Sequence, residues 1–304
     1  LEGDEKVRPG LHTFTTVIFA WAKSGRPEAA ERAEEILNAM TQVGPQYRRG
    51  QARYKGRDSR EALEADTPCM NAVLSCYAGI KTRAAAQRAE DILQEMKRAG
   101  PWVDIETYNM VVKAWASVGN AERAEALLDE AYQVYVKGNR RMMPSTDICT
   151  TVIAAWAQSR APNKVERAQA VMRKMNELNL HPGIESHNAL LNTIANSTHN
   201  HDSRGQVPAS QADQLLQDMK AANRENAANV RPNRNSYTTV MHAWARIGNV
   251  DKAQAVFRDM LSDYHEHGNE SAKPDLRAFN AVLASFAKSD IPEAPEKACE
   301  MLLQ

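Results

Sequence analysis

Four Ala-Trp-Ala triplets constrain this sequence more than any other feature. Each tryptophan follows apolar side chains at seven, four and three residues upstream. The sets are Phe14, Val17, Ile18 and Trp21; Tyr108, Val111, Val112 and Trp115; Cys149, Val152, Ile153 and Trp156; and Tyr237, Val240, Met241 and Trp244. Spacing of i, i+3, i+4 and i+7 places four side chains on one stripe of an α-helix. Three further stretches fit the template: Met70, Val73, Leu74 and Tyr77; His187, Leu190, Leu191 and Ile194; and Phe279, Val282, Leu283 and Phe286. In all seven the next residue is alanine, at 22, 78, 116, 157, 195, 245 and 287. A methyl group there lets a neighbouring helix approach closely.

A second helical pattern follows each first one. It reads Ala, then two adjacent apolar residues, then usually Met, as in Ala33, Ile36, Leu37 and Met40, or Ala253, Val256, Phe257 and Met260. Turn residues such as Ser24-Gly25-Arg26-Pro27, Val118-Gly119-Asn120 and Ile247-Gly248-Asn249 separate the two helices. Each unit is therefore a helix–turn–helix hairpin with one apolar side. Alone it buries too little to offset a backbone ordering cost of about 1–2 kcal/mol per residue. Stacked hairpins bury a continuous core. The expected fold class is all-α: an α-solenoid of about seven helix–turn–helix repeats in a single array over residues 1–304. The repeats are expected near 11–66, 67–104, 105–145, 146–183, 184–233, 234–275 and 276–304. Two insertions are read as surface loops: a basic one at 43–65, with Arg48, Arg49, Arg53, Lys55, Arg57 and Arg60, and a polar one at 197–208. A further polar stretch lies near 222–233. The tryptophan stripe is read as core.

Composition bounds the partners. Lys plus Arg equals Asp plus Glu at 38 each, so no global charge draws the chain to nucleic acid or membrane. Hydrophobic residues make up 43%, enough for a packed core. No apolar run approaches the roughly 18 residues of a membrane helix. The chain opens on Leu1 and ends within a helical pattern at Gln304, and is read as a piece of a longer precursor. Cys69, Cys76 and Cys149 sit in apolar helical stretches and are read, with Cys299, as small thiols of a reducing compartment. No P-loop, G-x-G-x-x-G, H-E-x-x-H or G-x-S-x-G motif occurs. The pairs His199/His201 and His265/His267 have metal-ligand spacing but no nearby cysteine. The expectation is no catalytic residue, no metal, no cofactor and no enzyme activity.

One polar column stands out from helix packing. The residue after the aromatic-type position is Asn or Thr in all seven units: Thr15, Asn71, Asn109, Thr150, Asn188, Thr238 and Asn280. Both are poor helix formers, and both carry groups suited to a base edge. With the hairpins, the phrase Thr107-Tyr108-Asn109-Met110-Val111-Val112 and the phrase Lys273-Pro274-Asp275, the chain resembles the pentatricopeptide repeat family over nearly its whole length. The resemblance implies a right-handed superhelix with the first helices on its concave face. It implies binding of single-stranded RNA at one base per repeat. The reading pair is the column residue and the residue closing the repeat, here Asp66, Asp104, Ser145, Gly183, Asn233 and Asp275. By resemblance, Thr15/Asp66 and Thr238/Asp275 suggest guanine, Asn71/Asp104 uracil, Asn109/Ser145 cytosine and Asn188/Asn233 a pyrimidine. Thr150/Gly183 is off the common pattern. The implied register is G-U-C-any-pyrimidine-G.

The family also places a basic residue facing phosphate at the end of the first helix, matched by Lys23, Arg246 and Lys288. It places an aliphatic residue three before the column, where this chain has His12, Pro68, Glu106, Asp147, Glu185, Asn235 and Arg277. The implied function is occupancy of organellar RNA, in mitochondrion or plastid, with no small-molecule substrate. The acidic stacking positions point to an alternative, a scaffold holding proteins or RNA in an organellar ribosome or other ribonucleoprotein. A third reading is an RNA-processing factor whose catalytic domain lies outside the sequence.

Overall fold

The computed structural model describes residues 10–50, 65–99, 102–197, 206–224, 230–289 and 291–303. Among these residues all regular structure is helical. Seven helices open the hairpins: α1 (Leu11–Ser24), α3 (Thr67–Gly79), α5 (Ile105–Ser117), α7 (Thr146–Gln158), α9 (Ile184–Ala195), α11 (Arg234–Arg246) and α13 (Leu276–Lys288). Seven close them: α2 (Ala29–Gly50), α4 (Arg83–Ala99), α6 (Ala121–Val136), α8 (Lys164–Glu177), α10 (Gln206–Arg224), α12 (Val250–His265) and α14 (Ala294–Leu303). The chain packs as two compact units, residues 1–148 and 149–304. In the first, α1, α3 and α5 lie side by side, with α2, α4 and α6 packed along them. In the second, α9, α11 and α13 form the same row, backed by α8, α10, α12 and α14. Each unit is a stack of helical hairpins.

The apolar stripes are the core. Val111, Val112, Val152, Ile153, Val240 and Met241 are fully buried, and Trp115, Trp156 and Trp244 nearly so. At about 1.5–3 kcal/mol for each large side chain withdrawn from water, these rows are the main stabilising term. Trp115 donates its indole N–H to buried Glu90, 2.9 Å away, and Glu90 is paired with Arg123. The stripe on α1 departs from this pattern. Ile18 is buried, but Val17 is more than two-fifths exposed, and Phe14 and Trp21 are only half-buried. Among the described residues α1 has a row neighbour, α3, on one side only.

The small residue that governs close approach lies one place earlier than the sequence suggests. Ala114, Ala155 and Ala243, each preceding a tryptophan, are more deeply buried than Ala116, Ala157 and Ala245 after it. Their counterparts Cys76, Thr193 and Ser285 are also small and buried. Thr193 Oγ1 reaches the Ile153 carbonyl of α7 at 3.3 Å, so two first helices approach within side-chain hydrogen-bonding reach.

Hairpin turns use Gly25, Gly119 and Gly248 at φ of 63°, 75° and 71°, a region costly for residues with a Cβ. Two connections, α6–α7 and α12–α13, each carry an added 3-10 turn, Arg140–Met142 and Glu270–Ala272. These turns account for steps of 41 and 42 residues there, against 38 from Asn71 to Asn109 and from Thr150 to Asn188. The basic insertion read as a loop is partly helical. The backbone of α2 continues to Gly50, past Gly44-Pro45. A proline removes one ladder bond, and the rest of the ladder can carry a helix through it. Residues 51–64 lie outside the described residues, as do 198–205 of the polar loop and His199/His201. Residues 206–208 of that loop form the start of α10, where Pro208 sits in the first turn and forfeits no ladder bond. Cys69, Cys76 and Cys149 are buried and free, and Cys299 is free and exposed. Among the described residues no group of three His, Cys, Asp or Glu side chains is placed to hold a metal ion. No described helix is long and apolar enough to cross a membrane.

Candidate functional site

The closing residues stand just before the first helices, and the polar column lies one turn further in. The closing residues are helix N-caps. Asp66 accepts from the Cys69 amide, Asp104 from Thr107, Asn233 from Ser236, and Asp275 from Arg277 and Ala278. Ser145 accepts from the Ile148 amide at 3.4 Å, and Gly183 caps α9 through its extended backbone alone. Asp, Ser, Asn and Gly are the residues that helix starts favour, because the first amides lack intrahelical partners. Capping therefore explains the closing residue types without reference to a ligand.

Two of the reading pairs are brought together. Asn71 Nδ2 donates to Asp104 Oδ1 at 3.4 Å, and Asn188 Nδ2 to Asn233 Oδ1 at 3.2 Å. The others bond elsewhere. Thr15 and Thr238 donate back to the Leu11 and Arg234 carbonyls, one turn upstream, at 2.9 and 2.7 Å. Asn109 Nδ2 reaches Glu106 at 3.5 Å, and Thr150 Oγ1 meets Ser186 Oγ at 2.6 Å. Asp275 is paired with Arg234 at 3.4 Å. Asn280 is exposed on α13.

A third position completes these clusters and was not read from the sequence. The residue two before the column is fully buried at Thr107, Ser186 and Ser236. Thr107 Oγ1 accepts from the Asp104 amide at 3.4 Å, closing a reciprocal capping box, and donates to Asp104 Oδ1 at 2.8 Å. Ser236 Oγ donates to Asn188 Oδ1 at 2.7 Å and lies 3.2 Å from Asn233 Oδ1. This hydroxyl thus links the column residue of one repeat to the cap that opens the next. The signal was present: a hydroxyl three residues after an Asp or Asn, the spacing of a capping box.

The aromatic before the column is pinned from behind. Tyr108 donates to Glu130 at 3.0 Å and Tyr237 to Asp263 at 3.1 Å, each joining a first helix to its second. Burial raises both phenols above their ordinary range, and the facing carboxylates raise them further. At the column itself, Asn71 Oδ1 and Asn109 Oδ1 are buried acceptors with no donor in the protein. Arg231 Nε and Trp244 Nε1 are the other such side-chain atoms among the described residues.

The three basic positions differ. Lys23 and Lys288 are exposed at the ends of α1 and α13. Arg246 is engaged within the protein: its guanidinium donates to the Ala195 carbonyl at 2.7 Å and to Asn196 Oδ1 at 3.2 Å. Lys164 Nζ converges on the same helix end, donating to the Asn196 carbonyl at 2.9 Å. Burial, then Arg246, lowers the Lys164 pKa. Two cations therefore serve the C-terminus of α9, whose carbonyls carry partial negative charge. His12, Pro68, Glu106, Asp147, Glu185, Asn235 and Arg277 are all exposed near the starts of their helices.

The sequence profile "PPR repeat" matches residues 12–44 and 235–265, and the profile "Pentatricopeptide repeat domain" matches residues 91–142. A pentatricopeptide repeat-containing protein of Arabidopsis thaliana is 27% identical over 186 residues, covering 61% of this chain and 30% of the relative. The chloroplastic pentatricopeptide repeat-containing protein OTP51 of Oryza sativa subsp. japonica is 21% identical, covering 97% of this chain and 41% of the relative. Among solved structures, the pentatricopeptide repeat protein PPR10 in complex with an 18-nt psaJ RNA element superposes with a TM-score of 0.51 at 17% identity. That alignment covers 98% of this chain and 40% of PPR10, and it shows the shared solenoid fold. The chain spans less than half the length of these relatives.

Proposed function

As the chain is a pentatricopeptide repeat protein, we propose that it binds single-stranded RNA by site occupancy, one base per repeat, in mitochondrion or plastid. The observation that carries this reading is the pair of orphaned acceptors, Asn71 Oδ1 and Asn109 Oδ1. A buried acceptor without a donor costs about 1–3 kcal/mol, and two of the four such atoms among the described residues fall in one polar column. A base edge supplies donors of the right kind. The reading pairs Asn71/Asp104 and Asn188/Asn233 already lie side by side. The relatives support both parts of the reading: OTP51 is named chloroplastic, and PPR10 was crystallised with RNA.

A second reading is favoured by one feature. Glu106, Asp147 and Glu185 are exposed where the family carries aliphatic side chains. Carboxylates there repel a phosphate backbone and suit a protein partner, so the alternative is a scaffold within an organellar ribonucleoprotein.

Filter binding with a randomised RNA pool tests the two. The expected result is enrichment of G-U-C-any-pyrimidine-G, with single strands preferred over duplex. Lys23 and Lys288 give a log–log salt slope of about −1.4 at roughly 0.7 per phosphate, and release of Arg246 to the RNA would take it to about −2. Equal affinity for duplex, or no enrichment at any position, would reject base reading in favour of the scaffold.

A further inference from the structure

The connection between α4 and α5 displays an indole that the core does not use. Trp102 is the one tryptophan outside the Ala-Trp-Ala pattern, and it is 70% exposed. Its position is nonetheless held. Its carbonyl accepts from Thr67 Oγ1, on the first residue of α3, at 2.6 Å. The Arg141 guanidinium, from the 3-10 turn between α6 and α7, lies 4.5 Å from the ring centroid. With Thr67, Asp104, Glu106 and Asn139, these two side chains line an open cleft of about 810 Å³. Leaving so large an apolar surface in water forfeits burial energy, and the guanidinium keeps the ring in place.

We infer that this cleft takes a nucleobase of single-stranded RNA, stacked on Trp102 next to the base engaged by Asn71 and Asp104. The inference rests on the RNA-reading proposal above. Asp104 joins the two sites: its Oδ1 lies 3.4 Å from Asn71 Nδ2, and the residue lines the cleft. A base offers a flat π-face to the indole and a polar edge to solvent or to Asp104 and Glu106, which accept from ring and exocyclic N–H groups. Arg141 supplies the positive charge for the adjoining phosphate. A protein hot spot prefers a desolvated, well-packed pocket, whereas this cleft is open and carries three charged side chains. Stacking here would stand in for the aliphatic clamp whose place Pro68 and Glu106 occupy.

The test uses the whole chain with single-stranded RNA carrying the implied register, and compares Trp102→Ala and Trp102→Phe with wild type. Trp102→Ala should weaken binding by roughly 5- to 100-fold, the equivalent of losing one stacked base. Trp102→Phe should keep most of the affinity. RNA should quench part of the wild-type indole emission, and that part should be missing in Trp102→Phe. The melting temperature should not move, because the ring is exposed. Wild-type RNA binding with unchanged affinity in Trp102→Ala would overturn the inference and leave the reading of Asn71 and Asp104 standing. Loss of a co-purifying protein from Trp102→Ala, with RNA affinity intact, would overturn it in favour of protein docking. A wild-type chain that binds no RNA would overturn both.

Discussion

Asp104 illustrates how one side chain serves folding and the proposed recognition together. Its Oδ1 caps α5 through the Thr107 amide at 2.9 Å and accepts from Asn71 across the repeat boundary. The two roles separate by substitution. Asp104→Ser keeps a capping oxygen, so stability should change by less than about 0.5 kcal/mol, whereas Asp104→Ala should cost about 1 kcal/mol. On the base-reading proposal, Asp104→Ser recreates the Asn/Ser pair of the next repeat, and preference at the second base should move from uracil to cytosine. Asn71→Thr should move it to guanine, the base the family resemblance gives for a Thr/Asp pair such as Thr238 and Asp275. Four RNAs differing only at that base, titrated against each variant, measure both shifts. A good base contact discriminates by about 1–3 kcal/mol on the scale known for DNA. Variants that bind all four alike would mark these residues as caps and nothing more.

At the scale of helix and turn, the same residue type has different tolerances in equivalent hairpins. Gly119 and Gly248 both sit at positive φ between a first and a second helix. A Cβ on Gly119 would meet nothing within 4 Å, while one on Gly248 would come 2.6 Å from the Lys288 carbonyl at the end of α13. Gly119→Ala should therefore cost only the left-handed backbone penalty of about 1–2 kcal/mol. Gly248→Ala adds a clash with backbone that cannot swing aside, and its cost should exceed that of Gly119→Ala by about 1 kcal/mol or more. Urea unfolding of the two variants gives the comparison. Equal losses would mean that α13 shifts freely away from the α11–α12 turn.

Across the molecule, buried groups that must stay neutral link stability to pH. Burial raises Cys76 to about 11 and Cys149 to about 12, and raises Cys69 as well. Tyr77 is raised to about 12 by burial and by Glu34, and Tyr108 and Tyr237 are raised by burial and by Glu130 and Asp263. In each case the folded pKa lies above the unfolded one, so the folded chain holds more protons in the interval between. Their contribution is complete below the unfolded values and is lost as pH rises through the interval. Unfolded thiols begin to ionise near pH 8.5 and phenols near 10. Melting temperatures measured under reductant should hold steady from pH 7 to 8 and then fall progressively, more steeply above pH 10. A melting temperature flat to pH 11 would contradict the burial of these six groups.

Much of the architecture is local, and local chemistry is what a sequence carries. The stripes ending in Trp115, Trp156 and Trp244 had to be helical and buried, since only a helix puts residues spaced by three and four on one side. Gly25, Gly119 and Gly248 marked three of the hairpin turns, because positive φ selects glycine. What the tertiary structure alone decided is which of these residues touch across repeats. Nothing in the spacing distinguished Asn71, 3.4 Å from Asp104, from Asn109, which turns to Glu106. Nor did it mark Arg246, matched to a phosphate-facing position, as a cation committed to the end of α9. Nor did it pair Trp102 with Arg141, 39 residues later, over a shared cleft. Those outcomes depend on how one hairpin rests on the next, and distances between hairpins are set by packing, which no single repeat encodes.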